Sequence, residues 1–120
     1  MVVSKNLVST KDEFQNIINN DTKIVVFKFS ADWCAPCKII APIVDNFKQT
    51  IVDNENIDWY DIDVDESIEI FGWLKTKRII NGVPSIIVYF EENDTIYPDE
   101  FVLGGNEKEL EVLFKRLTEQ

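Results

Sequence analysis

Two cysteines are the residues of this chain best suited to covalent chemistry, and they lie three positions apart, at Cys34 and Cys37. A thiolate attacks a disulfide sulfur, so a pair of thiols at this spacing can exchange with a disulfide and then close on each other. The same pair could instead supply half of a zinc site that a second chain completes. Because the chain has no His and no other Cys, the residues favour redox chemistry over metal binding.

The cysteines lie where a strand gives way to a helix. Residues 24–29 are β-branched and aromatic, which is typical of a buried strand. Apolar residues recur at helical spacing from Pro36 to about residue 52, and Pro36 suits the first turn, where its missing N–H would be unpaired anyway. Cys34 thus precedes the helix, whose free N–H groups and dipole favour a thiolate. We therefore predict that Cys34 attacks and that Cys37, one turn in and more shielded, resolves the product.

The remaining periodicity predicts one α/β domain spanning residues 1–120. Thr10 with Glu13, and Asn106 with Glu109, are typical of helix N-terminal caps, and Pro42 should kink the second helix. Beyond the strand and helix around the cysteines, we predict a helix over residues 67–77 and strands over residues 57–64, 85–90 and 101–103. Strands separated by helices indicate parallel pairing, whereas the last two strands are too close for a crossover helix and should form an antiparallel hairpin. The sheet is therefore predicted to be mixed.

Composition narrows the possible partners. The chain carries 12 Lys and Arg against 22 Asp and Glu, a net charge of −10, which argues against nucleic acid and anionic membranes. The acidic run over residues 53–69 is typical of a solvated face.

No secretory signal pattern or membrane span is evident, so we expect a soluble, cytoplasmic monomer whose cysteines remain free or work as a redox pair.

Several motifs resemble one family. Residues 31–38 (ADWCAPCK), followed by Ala41 and Pro42, resemble the thioredoxin active site and its kinked helix. Residues 82–85 (GVPS) resemble the cis-proline loop of that family, Gly104 and Gly105 its glycine after the last strand, and residues 61–65 its third strand. These motifs follow the order and spacing of the family over nearly the whole chain.

The resemblance implies the thioredoxin fold, a central mixed β-sheet flanked by about four α-helices. It implies reduction of protein disulfides, electron transport and cell redox homeostasis, with thioredoxin reductase or an equivalent donor and disulfide-containing proteins as partners. No metal or cofactor would be needed beyond the dithiol. A substrate groove would be lined by Trp33, Val83, Pro84 and Gly104. A cis peptide before Pro84 would leave the backbone of Val83 facing an extended substrate.

The chain departs from the family pattern beside the cysteines. Ala35 replaces the usual Gly before the retained Pro36, a pair that tunes redox poise. Lys28 stands where the family carries a buried Asp that assists proton transfer, and Asp61 stands where bacterial members carry a Lys. We hypothesise a charge-swapped Lys28–Asp61 pair; alternatively, Lys28 extends to solvent.

Two other functions stay open at this point. One is a binding module of the same fold that docks partners without turnover. The other is a specialised oxidase or isomerase with altered proton transfer. The helix before the cis-proline loop and the hairpin after it each look roughly four residues longer than usual, a difference that could alter partner choice or be neutral.

Overall fold

The computed structural model describes residues 4–5, 8–20 and 22–119. Within these ranges strands and helices alternate until the last two strands, which follow each other without a helix between them, as the sequence predicted. The elements are β1 (Ser4–Lys5), α1 (Lys11–Asn20), β2 (Ile24–Ser30), α2 (Ala35–Thr50), β3 (Ile57–Asp63), α3 (Ile68–Thr76), β4 (Ser85–Tyr89), β5 (Glu100–Leu103) and α4 (Glu107–Thr118). Strand β1 is an addition to the prediction, because two residues are too few to carry a period-two pattern.

The strands form one mixed sheet in the order β1-β3-β2-β4-β5. Strand β3 pairs in parallel with both β1 and β2, whereas β4 runs antiparallel to β2 and β5 antiparallel to β4. The predicted mixed sheet and closing hairpin are therefore confirmed. Because β2 lies at the centre, the chain leaves the middle of the sheet directly into the two cysteines.

Alternate residues of β2 face opposite layers of helices. Phe27 packs against Phe14 of α1, with ring centroids 4.4 Å apart, and stacks on Tyr60 of β3 at 5.3 Å. On the other face α2 and α4 meet through Phe47 and Phe114, whose stacked rings lie 4.0 Å apart. Each face of the sheet thus buries its own apolar cluster, and together they hold the N-terminus of α2 fixed at the end of β2.

Both predicted helix caps are present. The Glu13 N–H donates to the Thr10 hydroxyl oxygen at 3.1 Å, and the Thr10 N–H donates to the Glu13 carboxylate at 3.1 Å. Hydrogen bonds from the Thr10 hydroxyl, above all, and from the Ser9 N–H hold the pKa of Glu13 below its usual value. At α4 the Glu109 N–H donates to Asn106 Oδ1 at 3.0 Å. Helix α4 buries one apolar face, formed by Leu110, Leu113, Phe114 and Leu117.

Candidate active site

The predicted redox pair forms a disulfide at the N-terminus of α2. Cys34 and Cys37 are bonded, with their Cα atoms 5.3 Å apart. Cys34 is the N-cap of the helix, which begins at Ala35, and Pro36 lies in its first turn. The Cys34 N–H donates to the carbonyl oxygen of Ala31 at 3.2 Å, so a tight turn sets the N-cap. Strand, turn, first cysteine and helix therefore follow one another as predicted.

The two sulfurs differ in their hydrogen bonding. The backbone N–H of Cys37 donates to Cys34 Sγ at 3.1 Å, which is the bond an N-cap side chain makes. A negative charge on Cys34 would be stabilised by this donor and by the positive end of the helix dipole. Cys34 is therefore the sulfur that the local structure prepares to be a thiolate.

The prediction that Cys37 is the more shielded thiol stays a prediction, because the structure shows the pair as a disulfide. Both residues are buried, with 3% of Cys34 and 5% of Cys37 exposed. The reason is that the bond holds both sulfurs in one apolar environment, a core cluster that also contains Ala31 and Val64. Shielding therefore does not separate their roles, whereas hydrogen bonding does.

The expected cis-proline loop and the glycine segment lie against each other. The Val83–Pro84 peptide is cis, and the Gly104 N–H donates to the Pro84 carbonyl at 2.8 Å. Gly104 has a φ of +110°, in the left-handed region that favours glycine. A Cβ on the next residue, Gly105, would lie 3.5 Å from Cβ of Pro36. Tertiary structure thus brings the proline loop, the glycines and the first turn of α2 together.

Trp33 presents its ring at the surface beside the disulfide, and 67% of it is exposed. Its indole N–H donates to a carboxylate oxygen of Asp65 at 3.0 Å. Asp65 was not singled out by the sequence, although it belongs to the acidic run. No signal in the sequence indicated it, because the contact depends on the parallel register of Ser30 with Asp63, which brings the ends of β2 and β3 side by side.

The structure corrects the proposed ion pair between Lys28 and Asp61. The two residues are register partners on neighbouring strands, and both side chains are partly buried. Asp61, however, accepts hydrogen bonds from Lys48 Nζ at 2.7 Å and from the Trp59 indole N–H at 2.9 Å. No ion pair joins Lys28 to Asp61 among the side chains that the structure describes.

Lys48 reaches Asp61 because α2 crosses the face of the sheet on which Trp59 lies. Its ammonium group sits 5.5 Å from the centroid of the Trp59 ring. Sequence reasoning missed Lys48, although a basic residue in the last turn of the helix above β3 was a signal. An influence of Lys28 and Asp61 on the redox chemistry stays a prediction.

The hairpin loop between β4 and β5 is tied down by hydrogen bonds. The Tyr89 hydroxyl donates to the carbonyl of Ile96 at 2.6 Å, and burial, with the nearby Asp99 charge, raises the pKa of Tyr89 well above its usual value. Asp99 accepts from the Phe90 N–H at 2.7 Å and from the side-chain amide of Asn93 at 3.0 Å. These hydrogen bonds therefore fix both ends of the loop, where it leaves β4 and where it enters β5.

The described residues show neither a membrane-spanning helix nor a cluster of metal ligands. None of the described helices is both long and apolar enough to cross a membrane. Within the same residues, no group of three or more Cys, Asp or Glu side chains is placed to hold a metal ion.

Comparison with known proteins points to one family. The family model described as Thioredoxin matches residues 5–116 of this chain. A thioredoxin of Coprinus comatus is 36% identical over 110 residues, which cover 92% of this chain and 94% of that protein. Thioredoxin-1 of Schizosaccharomyces pombe is 35% identical over 108 residues, covering 90% of this chain and 93% of that protein. The crystal structure of oxidized mitochondrial thioredoxin 3 from Saccharomyces cerevisiae aligns over 95% of each chain, with a TM-score of 0.70 at 25% identity.

Proposed function

Because the chain belongs to the thioredoxin family and is a thiol-disulfide oxidoreductase, we propose that it reduces protein disulfides, with Cys34 attacking and Cys37 resolving. The observation that carries these roles is the hydrogen bond from the Cys37 N–H to Cys34 Sγ at 3.1 Å. It places a backbone donor on one sulfur and leaves the other to act second. A thiolate so stabilised forms at lower pH than a free one.

The reaction divides into two exchanges. The Cys34 thiolate attacks one sulfur of the substrate disulfide, forms a mixed disulfide and releases the other substrate sulfur as a thiolate, which takes up a proton. Cys37, on losing its proton, then attacks Cys34 Sγ, restores the internal disulfide and releases the second substrate thiol. Overall the substrate gains two electrons and two protons; both electrons come from the chain, one proton comes from Cys37, and the other is the proton that Cys34 gave to solvent when it ionised.

Substrate would bind across the disulfide in a groove lined by Trp33, Val83, Pro84 and Gly104. Support comes from the hydrogen bond between the Gly104 N–H and the Pro84 carbonyl and from the exposed ring of Trp33. An extended substrate segment can pair its backbone with such a loop, as in other modes of strand addition. Ala35 and Pro36, between the cysteines, would tune the redox potential.

The cycle needs an electron donor, and a thioredoxin reductase or an equivalent dithiol donor would serve. The proposed location is a reducing compartment such as the cytoplasm, where the dithiol can be regenerated. The proposed state is a monomer, and the net charge of −10 disfavours nucleic acid or anionic membranes as partners. Partners with basic surfaces would be attracted instead.

The test is insulin reduction, followed by turbidity, with dithiothreitol as the donor. We expect turnover with the wild-type chain and none with Cys34→Ser or Cys37→Ser. Incubation with an oxidised protein should trap a mixed disulfide with Cys37→Ser but not with Cys34→Ser. Trapping by Cys34→Ser alone would reverse the roles. Absence of turnover in the wild type would contradict the reductase and favour a binding module of the same fold.

A further inference from the structure

Large apolar side chains are exposed both beside the disulfide, at Trp33, and at the start of helix α3. Ile68, the first residue of α3, is 71% exposed, which makes it the most exposed large apolar side chain in the described part of the chain. It lies three residues after Asp65, the residue that holds the exposed ring of Trp33. Trp33 and Ile68 are therefore two large exposed apolar side chains related through Asp65: Trp33 is hydrogen-bonded to it, and Ile68 follows it by three residues.

The orientation of α3 places Phe71 on the same flank as Ile68. Trp73 packs on α1, with its ring centroid 6.1 Å from that of Phe14. Successive helical residues are about 100° apart, so Phe71 lies nearly opposite Trp73 around the helix, and Ile68 lies about 60° from Phe71. Phe71 and Val83 are both partly buried against the core cluster that contains the cysteines. The flank that carries Ile68 and Phe71 therefore faces away from α1.

The charges around this flank are unevenly distributed. Asp32, Asp65 and Glu66 are exposed beside Trp33 and at the start of α3. At the far end Lys75 Nζ lies 5.1 Å from the centroid of the Phe71 ring, followed by exposed Lys77. A partner segment would thus meet negative charge near the disulfide and positive charge beyond the apolar surface.

We propose that Trp33, Ile68 and Phe71 form a docking surface that selects protein disulfides flanked by a large apolar residue and a Lys or Arg. The apolar residue would cover Ile68, which is 71% exposed, and the part of Phe71 that the core cluster leaves uncovered, removing water from both. The basic residue would face Asp32, Asp65 and Glu66, where complementary charge speeds association. This proposal rests on the reductase function proposed above and names its substrate class.

The test compares three synthetic peptides, each dimerised by one disulfide, with Leu-Arg, Leu-Glu or Ser-Arg next to the half-cystine. The rate constant for oxidation of the pre-reduced chain is measured for each and divided by that for cystamine, to correct for thiol reactivity. For the wild type we expect the Leu-Arg peptide to react about tenfold faster than the Leu-Glu peptide, because Arg is attracted to the acidic residues and Glu is repelled by them. We expect it to react about fivefold faster than the Ser-Arg peptide, because Leu makes a small apolar contact that Ser cannot make.

Variants assign these preferences to the surface. Ile68→Ser should abolish the preference for Leu, and Glu66→Lys should abolish or invert the preference for Arg. Val112→Ser and Glu111→Lys on α4 are matched controls, because both residues are exposed and lie on another helix. The controls should keep the wild-type order of rates. Raising the salt concentration to about 0.5 M should shrink the preference for Arg while leaving that for Leu.

The docking surface and the reductase can fail separately. Equal normalised rates for the three peptides, in a wild-type chain that reduces insulin, would overturn the docking surface and leave the reductase intact. Unchanged preferences in Ile68→Ser and Glu66→Lys would also overturn it. If neither insulin nor any peptide is reduced, the proposed function itself is wrong.

Discussion

The coupling free energy between Lys48 and Asp61 can be compared with that between Lys28 and Asp61, the pair that the sequence suggested. Lys48 Nζ lies 2.7 Å from the Asp61 carboxylate, with 25% and 34% of the two side chains exposed. At that distance the attraction between unit charges is about 1.5 kcal/mol in a water-like dielectric. Ordering two partly exposed side chains offsets some of it, so we expect a net coupling of about 1 kcal/mol.

A double-mutant cycle isolates this coupling. Lys48→Met removes the ammonium group, and Asp61→Asn keeps an acceptor for the Trp59 indole while removing the charge. Urea unfolding of the two single variants, the double variant and the wild type gives the four free energies of unfolding. The cycle with Lys48→Met should give about 1 kcal/mol, falling in about 1 M salt because exposed charges are screened.

The matched cycle replaces Lys28 by Met beside the same Asp61→Asn change. Its coupling should be near zero, because no Lys28–Asp61 ion pair is formed between these described side chains. A Lys28 coupling equal to or larger than that of Lys48 would refute the assignment. So would additive effects of Lys48→Met and Asp61→Asn, which would show that the 2.7 Å contact contributes nothing measurable.

Three further predictions concern the backbone and the helix caps. Gly104→Ala should cost about 1–2 kcal/mol in the free energy of unfolding, because φ is +110° there, whereas Gly72→Ala, in open space on α3, should be neutral or stabilising. Asn106→Ala should cost about 1 kcal/mol through loss of the α4 cap, measured by urea unfolding. The lowered pKa of Glu13 means that its cap stabilises the fold above its ordinary pKa of 4.5 and loses that effect as the pH falls through the lower folded pKa. Glu13→Gln should therefore lower the melting temperature at pH 7 but hardly at about pH 3.

Each of these three has an outcome that would contradict it. Equal stability of Gly104→Ala and Gly72→Ala would show that the positive φ carries no strain. An Asn106→Ala variant as stable as the wild type would mean that solvent caps α4 equally well. A Glu13→Gln variant with the same loss of melting temperature at both pH values would mean that the carboxylate charge is not what stabilises the cap.

Local pattern in the sequence predicted most elements of the fold. Apolar spacing located β2 and α2, and the caps at Thr10 and Asn106 located the starts of α1 and α4, because these signals depend on residues within one or two turns. The position of Cys34 at a helix N-terminus follows from the same local information. Motif resemblance added the cis peptide before Pro84, which local propensity left undecided.

The identity of side-chain partners was decided by tertiary structure. Strand register makes Lys28 and Asp61 neighbours, but register fixes only their Cα positions. A long side chain can still bind a partner on another strand or helix. Lys48, 13 residues away in sequence on α2, reaches Asp61 only because that helix packs across β3.

The sequence by itself determined that two thiols stand at the start of a helix after a buried strand, since strand, turn and helix are coded by adjacent residues. Only the folded sheet decided what surrounds those thiols. The sheet and its helices set the burial of both cysteines, the hydrogen bond from Trp33 to Asp65 and the hydrogen bond from Gly104 to Pro84. These contacts join residues up to 32 positions apart, so they depend on packing between elements and not on local pattern.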